Sequence, residues 1–242
     1  MHRKLSPLLA ELHAHTTWSD GSLSVRELVE LYGSAGFDVL CVTDHAYRED
    51  DPVITPSSRG VGPDAHGEYL AEIEREAALA LRRYGLLVVP GLELSYNDLD
   101  PRRSAHAVAV GLREYPSLAG GLTAALERAD AAGAAIIGAH PDDAVDTTSR
   151  SHPTLAFAAD PDGLGALVHR FELFNRSQLF PWVAAAGRAS VATGDFHHLE
   201  HLGGWKTLIP CARREAAIVE YLRSPRPVYL ARFDIEATRA AA

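Results

Sequence analysis

The chain has 242 residues, of which 47% are hydrophobic and 23% charged: enough to bury a sizeable core, and too apolar for a disordered chain. A formal charge of −9 and a pI near 5.7 exclude a broad basic face for nucleic acid, though not a local positive pocket, because bound metal ions reverse the sign of a site. No stretch approaches the ~20 apolar residues of a membrane span, and the segment MHRKLSPLLAELHAH lacks the apolar run of a signal peptide.

The two cysteines, Cys41 and Cys211, lie in apolar, strand-like runs (VLCVTD, LIPCA) and read as buried thiols. These features together predict a cytoplasmic, reducing compartment. In chain order, LLAELHAH reads as a strand, and VRELVELYGSAG as a helix with Ser24 as its N-cap. DVLCVTDH is a second strand. It is followed by a long loop rich in Pro, Gly, Asp and Ser (REDDPVITPSSRGVGPDAHG). EYLAEIEREAALALRRYG is an amphipathic helix in which Tyr69, Ile73, Ala77 and Ala80–Leu81 share a face.

LLVVPGLELS and AHAVAVGL are the third and fourth strands, LAGGLTAALERADAAG is helical, and AAIIGAHP is the fifth strand. Residues 142–163 are loop-like with a short helix. FELFN, LFPWVAAAGR and SVATGDFH read as strand, helix and strand, and WKTLIPC, REAAIVEYLRS and PVYLAR add β, α and β. No linker, low-complexity stretch or fixed-period repeat divides the chain, so residues 1–242 read as one domain. The βαβ alternation predicts a parallel sheet covered by helices, closed or distorted into a barrel rather than open.

The unusual component is histidine, twelve in all, several beside Asp or Glu. Almost every predicted strand ends in a potential metal ligand: His13 and His15, Asp44 and His45, Glu93, His106, His140, then Asp195 and His197. In parallel α/β barrels such ends meet at one mouth. His13 and His15, two apart on a strand, project from one face, and Asp195 and His197 repeat that spacing. A lone histidine at a strand end is an ordinary hydrogen-bonded residue, but independent core histidines have no reason to favour strand ends together with carboxylates. Imidazoles with carboxylates suit zinc, manganese or iron better than magnesium or calcium.

The motifs LHAHTTWSDG, VTDH, PGLELS with the downstream His106, AHP, FELFN and GDFH, in that order from Leu12 to His197, resemble the PHP family, the polymerase and histidinol phosphatase domain. The resemblance implies a distorted (β/α)7 barrel with a three-metal site at the C-terminal ends of its strands. By motif, His13, His15, Glu93 and Asp195 would hold the first ion. Glu93 would bridge to a second completed by His106 and His140, and Asp20, His45 and His197 would hold the third. Some family members carry a histidine where Asp20 stands. Asp44, on the other strand face from His45, is expected to support rather than ligate. Glu172 either orients a ligand or fills a barrel layer as a polar residue. His2, His66, His152, His169, His198 and His201 are read as surface or loop residues.

The expected reaction is hydrolysis of a phosphate ester of a small phosphorylated metabolite, a nucleotide or similar phosphomonoester being favoured, by water activated at the metal site. Asp195, His197 and His45 are the candidate catalytic residues. Neither a G-x-S-x-G elbow nor a Walker loop is present to suggest a covalent or nucleotide-loop mechanism. Arg176 in NRSQ and Lys206 in GGWKT are candidate phosphate contacts, with solvated surface charge as the alternative for each. Ser149, Arg150 and the loop around Arg59 are candidate pocket walls. Two other classes compete: a C–N hydrolase on a metal barrel, which predicts a pocket without cations, and a non-catalytic metal-stabilised scaffold. Trp182, Trp205 and the apolar tail are left between internal packing and a dimer contact.

Overall fold

A computed structural model describes residues 6–55, 57–144 and 153–234. Chain order is β1 (Leu8–Glu11), α1 (Val25–Ser34), β2 (Val39–Val42), β3 (His45–Tyr47), α2 (His66–Tyr84), β4 (Leu87–Tyr96), β5 (Ala105–Val110), α3 (Leu122–Ala131) and β6 (Ala135–Ala139). Then come α4 (Ala156–Ala159), β7 (Arg170–Asn175), β8 (Gln178–Leu179), α5 (Pro181–Ala185), β9 (Ser190–Thr193), β10 (Gly204–Ile209), α6 (Glu215–Arg223) and β11 (Tyr229–Phe233).

Local chemistry sets the helix ends. Ser24 closes a capping box with Glu27, satisfying two otherwise orphaned amides at the start of α1. At the end of α2, Gly85 turns left-handed (φ 68°) and its N–H reaches the Leu81 carbonyl. On α2, Tyr69, Ile73 and Ala80 are buried as the periodicity predicts, but Leu81 is 54% exposed: one residue beyond Ala80 is a 100° step, which carries it off the buried stripe.

The strands form one curled sheet in the order β11-β10-β1-β2-β4-β5-β6-β7-β8, with β3 on β4 and β9 on β7. Curling brings the chain after β9 beside the chain leaving β1, where Ala14 and Phe196 form a parallel bridge. His15 N–H donates to Phe196 O (2.9 Å) and Phe196 N–H to His13 O (3.1 Å). The expectation of a parallel sheet holds only in part. β1–β2, β2–β4, β6–β7 and β7–β9 are parallel, but β5 runs antiparallel to both neighbours, and β10 and β11 are antiparallel to theirs. Residues 97–104 between β4 and β5 are too few for the dozen or so that a parallel crossover needs, so β5 must turn back.

The result is a mixed α/β fold with apolar cores on both faces of the sheet. Leu40 and Val42 of β2 face the cluster that includes α1 and α2, while Val39 and Cys41 face a second cluster closed by Ile218, Tyr221 and Leu222 of α6. Arg170, the first residue of β7, is buried and donates to the Tyr221, Leu222, Ser224 and Arg226 carbonyls, fastening the end of α6 to the starts of the strands. The titratable cluster gathers at the other end. Trp182 packs edge-on against Phe171 and donates to Pro141 O (2.6 Å), and Trp205 stacks on Phe174, so both rings make contacts within the chain. Among the described residues no helix is long and apolar enough to cross a membrane.

Candidate metal centre

His13 and His15 flank the Ala14 bridge, so the extended chain turns both rings to the same side. Their Nε2 atoms lie 2.9 Å apart. Glu93 Oε2 is 3.5 Å from His13 Nε2 and 3.4 Å from His15 Nε2, and Asp195 Oδ1 is 3.6 and 3.5 Å from the same atoms. Four donors held tetrahedrally at about 2.0–2.2 Å from a zinc-like ion stand about 3.3–3.6 Å apart. These distances match that spacing closely, with the two imidazoles somewhat nearer. Glu93 Oε2 is buried outside any regular hydrogen bond, and its nearest neighbour, His45 Nδ1 at 2.6 Å, is shared with Ser95 Oγ at 2.7 Å. A buried carboxylate oxygen so placed needs a positive charge beside it, from a protonated imidazole or a metal ion. By spacing and by chemistry, then, these side chains fit a divalent ion.

Two further groups adjoin the first. Glu93 Oε1 faces His106 Nδ1 (3.1 Å) and His140 Nε2 (3.2 Å). Asp20 Oδ1 faces His197 Nε2 (3.2 Å), His45 Nε2 (3.5 Å) and His15 Nδ1 (3.7 Å). The sites therefore share side chains more than the motif alone suggests. His15 leans toward Asp20 as well as Asp195, and His45 stands between Asp20 and Glu93. All nine expected ligand positions are brought together. Glu93 lies mid-way along β4 rather than at its end, and His106 lies near the start of β5, which reaches this end because β5 runs in reverse. Asp195 and His197 are not on β9 at all. They follow it, with Asp195 at φ 44°, so turn geometry and not strand alternation brings them together.

A second layer of polar groups holds these side chains. Glu172 is buried and accepts from His13 Nδ1 (2.8 Å), Thr193 Oγ1 (2.6 Å), Asn175 Nδ2 (2.8 Å) and His140 N (2.6 Å), so it orients the His13 ring and the His140 backbone. Asp44 accepts from the N–H and hydroxyl groups of Thr16 and Ser19, which shapes the turn that carries Asp20. In that turn, a Cβ on Gly21 would collide with the His15 backbone. Ser95 and Thr154 pair with the Nδ1 atoms of His45 and His140. Sequence reasoning missed both; a hydroxyl two residues beyond Glu93 was the available signal for Ser95.

Electrostatics follow from this crowding. Burial works against a charge on His13, but Glu93, Asp195 and Glu172 outweigh it and raise the ring well above the usual imidazole range. His45 is likewise opposed by burial yet pushed up to about 10 by Glu93 and Asp20. His15 goes the other way, down to about 3, from burial and then the neighbouring His197 and His45 charges. Burial would raise Glu93 and Asp195, but the surrounding imidazoles hold both well below the usual carboxylate range. Such a set binds protons or cations in competition.

Of the expected phosphate contacts, Arg176 reaches the site. It follows β7 at φ 55°, and its guanidinium donates to Asp195 O (2.8 Å) and Oδ2 (3.1 Å). Lys206 does not. Its side chain is fully buried, with Nζ on Glu11 Oε2 (2.6 Å) and His201 O (3.2 Å), and Glu11 in turn accepts from the His13 and Gly194 amides. Both Lys206 and its neighbour Thr207 are fully buried in β10, and the Glu11 pairing holds the lysine away from the mouth, which corrects its assignment as a substrate contact. Arg59 lines a cavity of about 340 Å³ beside Asp20, with Thr17, Ser19, Tyr47, Ser57 and Ser58. Ser149, Arg150, His2 and His152 lie outside the described residues.

Among the remaining histidines, His66 is buried at the start of α2, while His169 is half-buried in the bend before β7, where it accepts from Ile136 N. His201 accepts from the His197 amide. Burial, then the Arg176 and His197 charges, push it down to about 4, so it is a neutral turn-holding acceptor near pH 7.

A family model for the PHP domain matches residues 11–173. Over 43 residues, 18% of this chain, the sequence is 40% identical to the DNA polymerase/3'-5' exonuclease PolX of Bacillus subtilis (strain 168), covering 8% of that protein. Over 122 residues, 50% of this chain, it is 28% identical to the phosphoribosyl 1,2-cyclic phosphate 1,2-diphosphodiesterase of Eggerthella lenta, covering 38% of that protein. The matches thus span well under two thirds of either relative. A two-domain protein of Bacteroides vulgatus, containing a predicted PHP-like metal-dependent phosphoesterase, superposes with a TM-score of 0.63 over 94% of this chain and 65% of its own, at 18% identity: a likeness of fold.

Proposed function

Because the chain belongs to the PHP domain family, we propose that it is a metal-dependent phosphoesterase acting on a small phosphorylated metabolite, with a nucleotide or similar phosphomonoester favoured. The observation that carries this is the convergence of imidazoles and carboxylates on two buried acids, Glu93 and Asp195, at tetrahedral donor spacing. On this reading the curled sheet is the distorted (β/α)7 barrel, and the Ala14–Phe196 bridge supports its closure.

His13, His15, Glu93 and Asp195 would hold one divalent ion, Glu93, His106 and His140 a second, and Asp20, His45 and His197 a third. Manganese, zinc and iron suit this nitrogen–oxygen set. Such ions, when bound, would lower the pKa of water toward neutrality and neutralise charge on phosphoryl oxygens. His45 and His197 both turn Nε2 toward Asp20, so within the expected catalytic group with Asp195 they serve as ligands. Arg176 fixes Asp195 and stands 38% exposed at the mouth, where its guanidinium can also pair with a phosphoryl oxygen. Arg59 and the hydroxyls of Ser57 and Ser58 suit the same charge. These cations favour a phosphate over the neutral amide of a C–N hydrolase.

The test is turnover by metal-stripped protein with manganese or zinc restored, on p-nitrophenyl phosphate, a bis-phosphorylated nucleotide, histidinol phosphate and a cyclic phosphodiester, with Asp195→Asn as control. Metal-dependent phosphate-ester cleavage lost in the control is expected. Stoichiometric metal binding with no cleavage of any ester would overturn the reading in favour of a structural site.

A further inference from the structure

His106 reaches Glu93 through Nδ1, and its other nitrogen, Nε2, lies 2.9 Å from Asn97 Oδ1. Asn97 Nδ2 in turn donates to Asp51 Oδ2 at 3.1 Å. Asp51 and Asn97 are both buried, 8% and 5% exposed. Neither belongs to the motifs that point to the metal centre.

The polarity of this chain follows from chemistry alone. Asp51 has both oxygens engaged as acceptors: Oδ1 takes the Val53 and Ile54 amides (3.0 and 3.2 Å), and Oδ2 takes Asn97. An ionised carboxylate only accepts, so the amide must turn its NH2 toward Asp51 and its oxygen toward His106. An amide oxygen only accepts, so His106 must carry its proton on Nε2. Nδ1 is then the nitrogen left to exchange: without metal it can give a proton to Glu93 Oε1, and that proton, not the one on Nε2, is what a metal ion would displace.

We infer that Asp51 and Asn97 are positioning residues that hold the His106 proton on Nε2 and so keep Nδ1 open to a metal ion beside Glu93. This rests on His106 being a ligand, as in the function proposed above. It adds a link from the site to the loop after β3. The carboxylate that orients Asn97 also pins residues 51–54 of that loop, which continues into Ser57, Ser58 and Arg59 of the cavity wall. Outer partners of this kind commonly change metal affinity about 10–100-fold when removed.

The discriminating variant is Asp51→Asn. If the new side-chain oxygen keeps the Val53 and Ile54 amides, the new NH2 faces Asn97, which must then reverse and offer its own NH2 to His106. The imidazole proton is driven to Nδ1, where it blocks the metal. The double variant Asp51→Asn with Asn97→Asp restores the polarity: the carboxylate now at position 97 accepts from both the amide NH2 at position 51 and His106 Nε2–H.

Two readouts apply. One is the nitrogen-15 correlation pattern of His106 in metal-free protein, which reports the protonated nitrogen. The other is manganese or zinc affinity and stoichiometry by competition with a chromogenic chelator. Wild type is expected to show Nε2–H. D51N is expected to show Nδ1–H and on the order of tenfold weaker binding of one ion. The double variant should recover both properties. D51N binding metal like wild type with Nε2 still protonated would overturn the inference, because a merely space-filling role tolerates the isosteric change. A D51N loss that the double variant fails to repair would overturn it equally. Wild type binding no metal would instead sink the function proposed above, and the nitrogen-15 pattern would still judge the relay.

Discussion

Replacing Glu172 with glutamine changes one oxygen to NH2 and little else in shape. Each Glu172 oxygen accepts two hydrogen bonds: Oε1 from His13 and Thr193, Oε2 from His140 N and Asn175. The His140 amide and the Asn175 NH2 can only donate, so the glutamine oxygen must stay on the Oε2 side; its NH2 then faces Thr193, whose hydroxyl can turn to accept, and His13, which can accept only by moving its proton off Nδ1. A hydrogen bond to a charged acceptor contributes about 1.5–3 kcal/mol, and the one from His13 is the bond lost, so Glu172→Gln is expected to cost about 1.5–3 kcal/mol. That is a large share of the ~5–15 kcal/mol by which a domain is stable. Urea unfolding of metal-free protein at pH 7 measures it directly. His13 also loses the carboxylate that orients its ring, so affinity for the first ion should fall about 10–100-fold in the same preparation. A stability loss under about 1 kcal/mol with unchanged metal affinity would refute the assignment of Glu172 as the group that organises His13 and His140.

Lys206→Met removes the cation beside buried Glu11 and leaves that carboxylate with neutral donors, those of His13, Gly194 and Tyr32 among them. It should cost about 3–5 kcal/mol in thermal or urea unfolding; a raised KM without a stability loss would show that Lys206 meets substrate after all. Arg176→Lys removes the forked hold on Asp195 and should lower kcat/KM by roughly 10- to 100-fold, read by steady-state kinetics with a metal-loaded control. Metal binding at pH 7 should release protons, since His45 titrates at about 10 in the protein alone and must shed its proton to ligate. Calorimetry in buffers of different ionisation enthalpy counts them, and release of none would contradict the assignment. The same raised value means His45 stabilises the metal-free fold fully below its unfolded pKa of about 6.5 and loses that contribution as pH rises through about 10. Metal-free stability should therefore decline across that alkaline window.

The cluster itself was legible because its members sit in short motifs: His13 and His15 two apart on extended chain, Asp20 in the turn that follows, His45 after an apolar strand. Its supports were not. Whether Glu172 faces inward is a matter of strand register, and Asn97 meets Asp51 only through folding across 46 positions of sequence. Lys206 failed as a substrate contact because a lysine in GGWKT carries no mark of which strand face it occupies. The reversal of β5 did leave a signal, a connection over residues 97–104 with no helical period, and it outranks the βαβ alternation that suggested a parallel sheet. Asp195 and His197 do reach the cluster, but they follow a strand that has already ended instead of riding on it.

Three non-glycine residues adopt positive φ among the described residues, His140, Arg176 and Asp195, and all three stand at this one site. Outside glycine such a backbone costs on the order of 1–2 kcal/mol per residue, so each side chain is kept there against the preference of its own peptide unit. Glycine would relax all three turns while erasing the chemistry. A descendant of this protein released from selection for activity would therefore gain stability by losing its site, and glycine at positions 140, 176 and 195 would be the mark of a retired enzyme whose fold outlived its reaction.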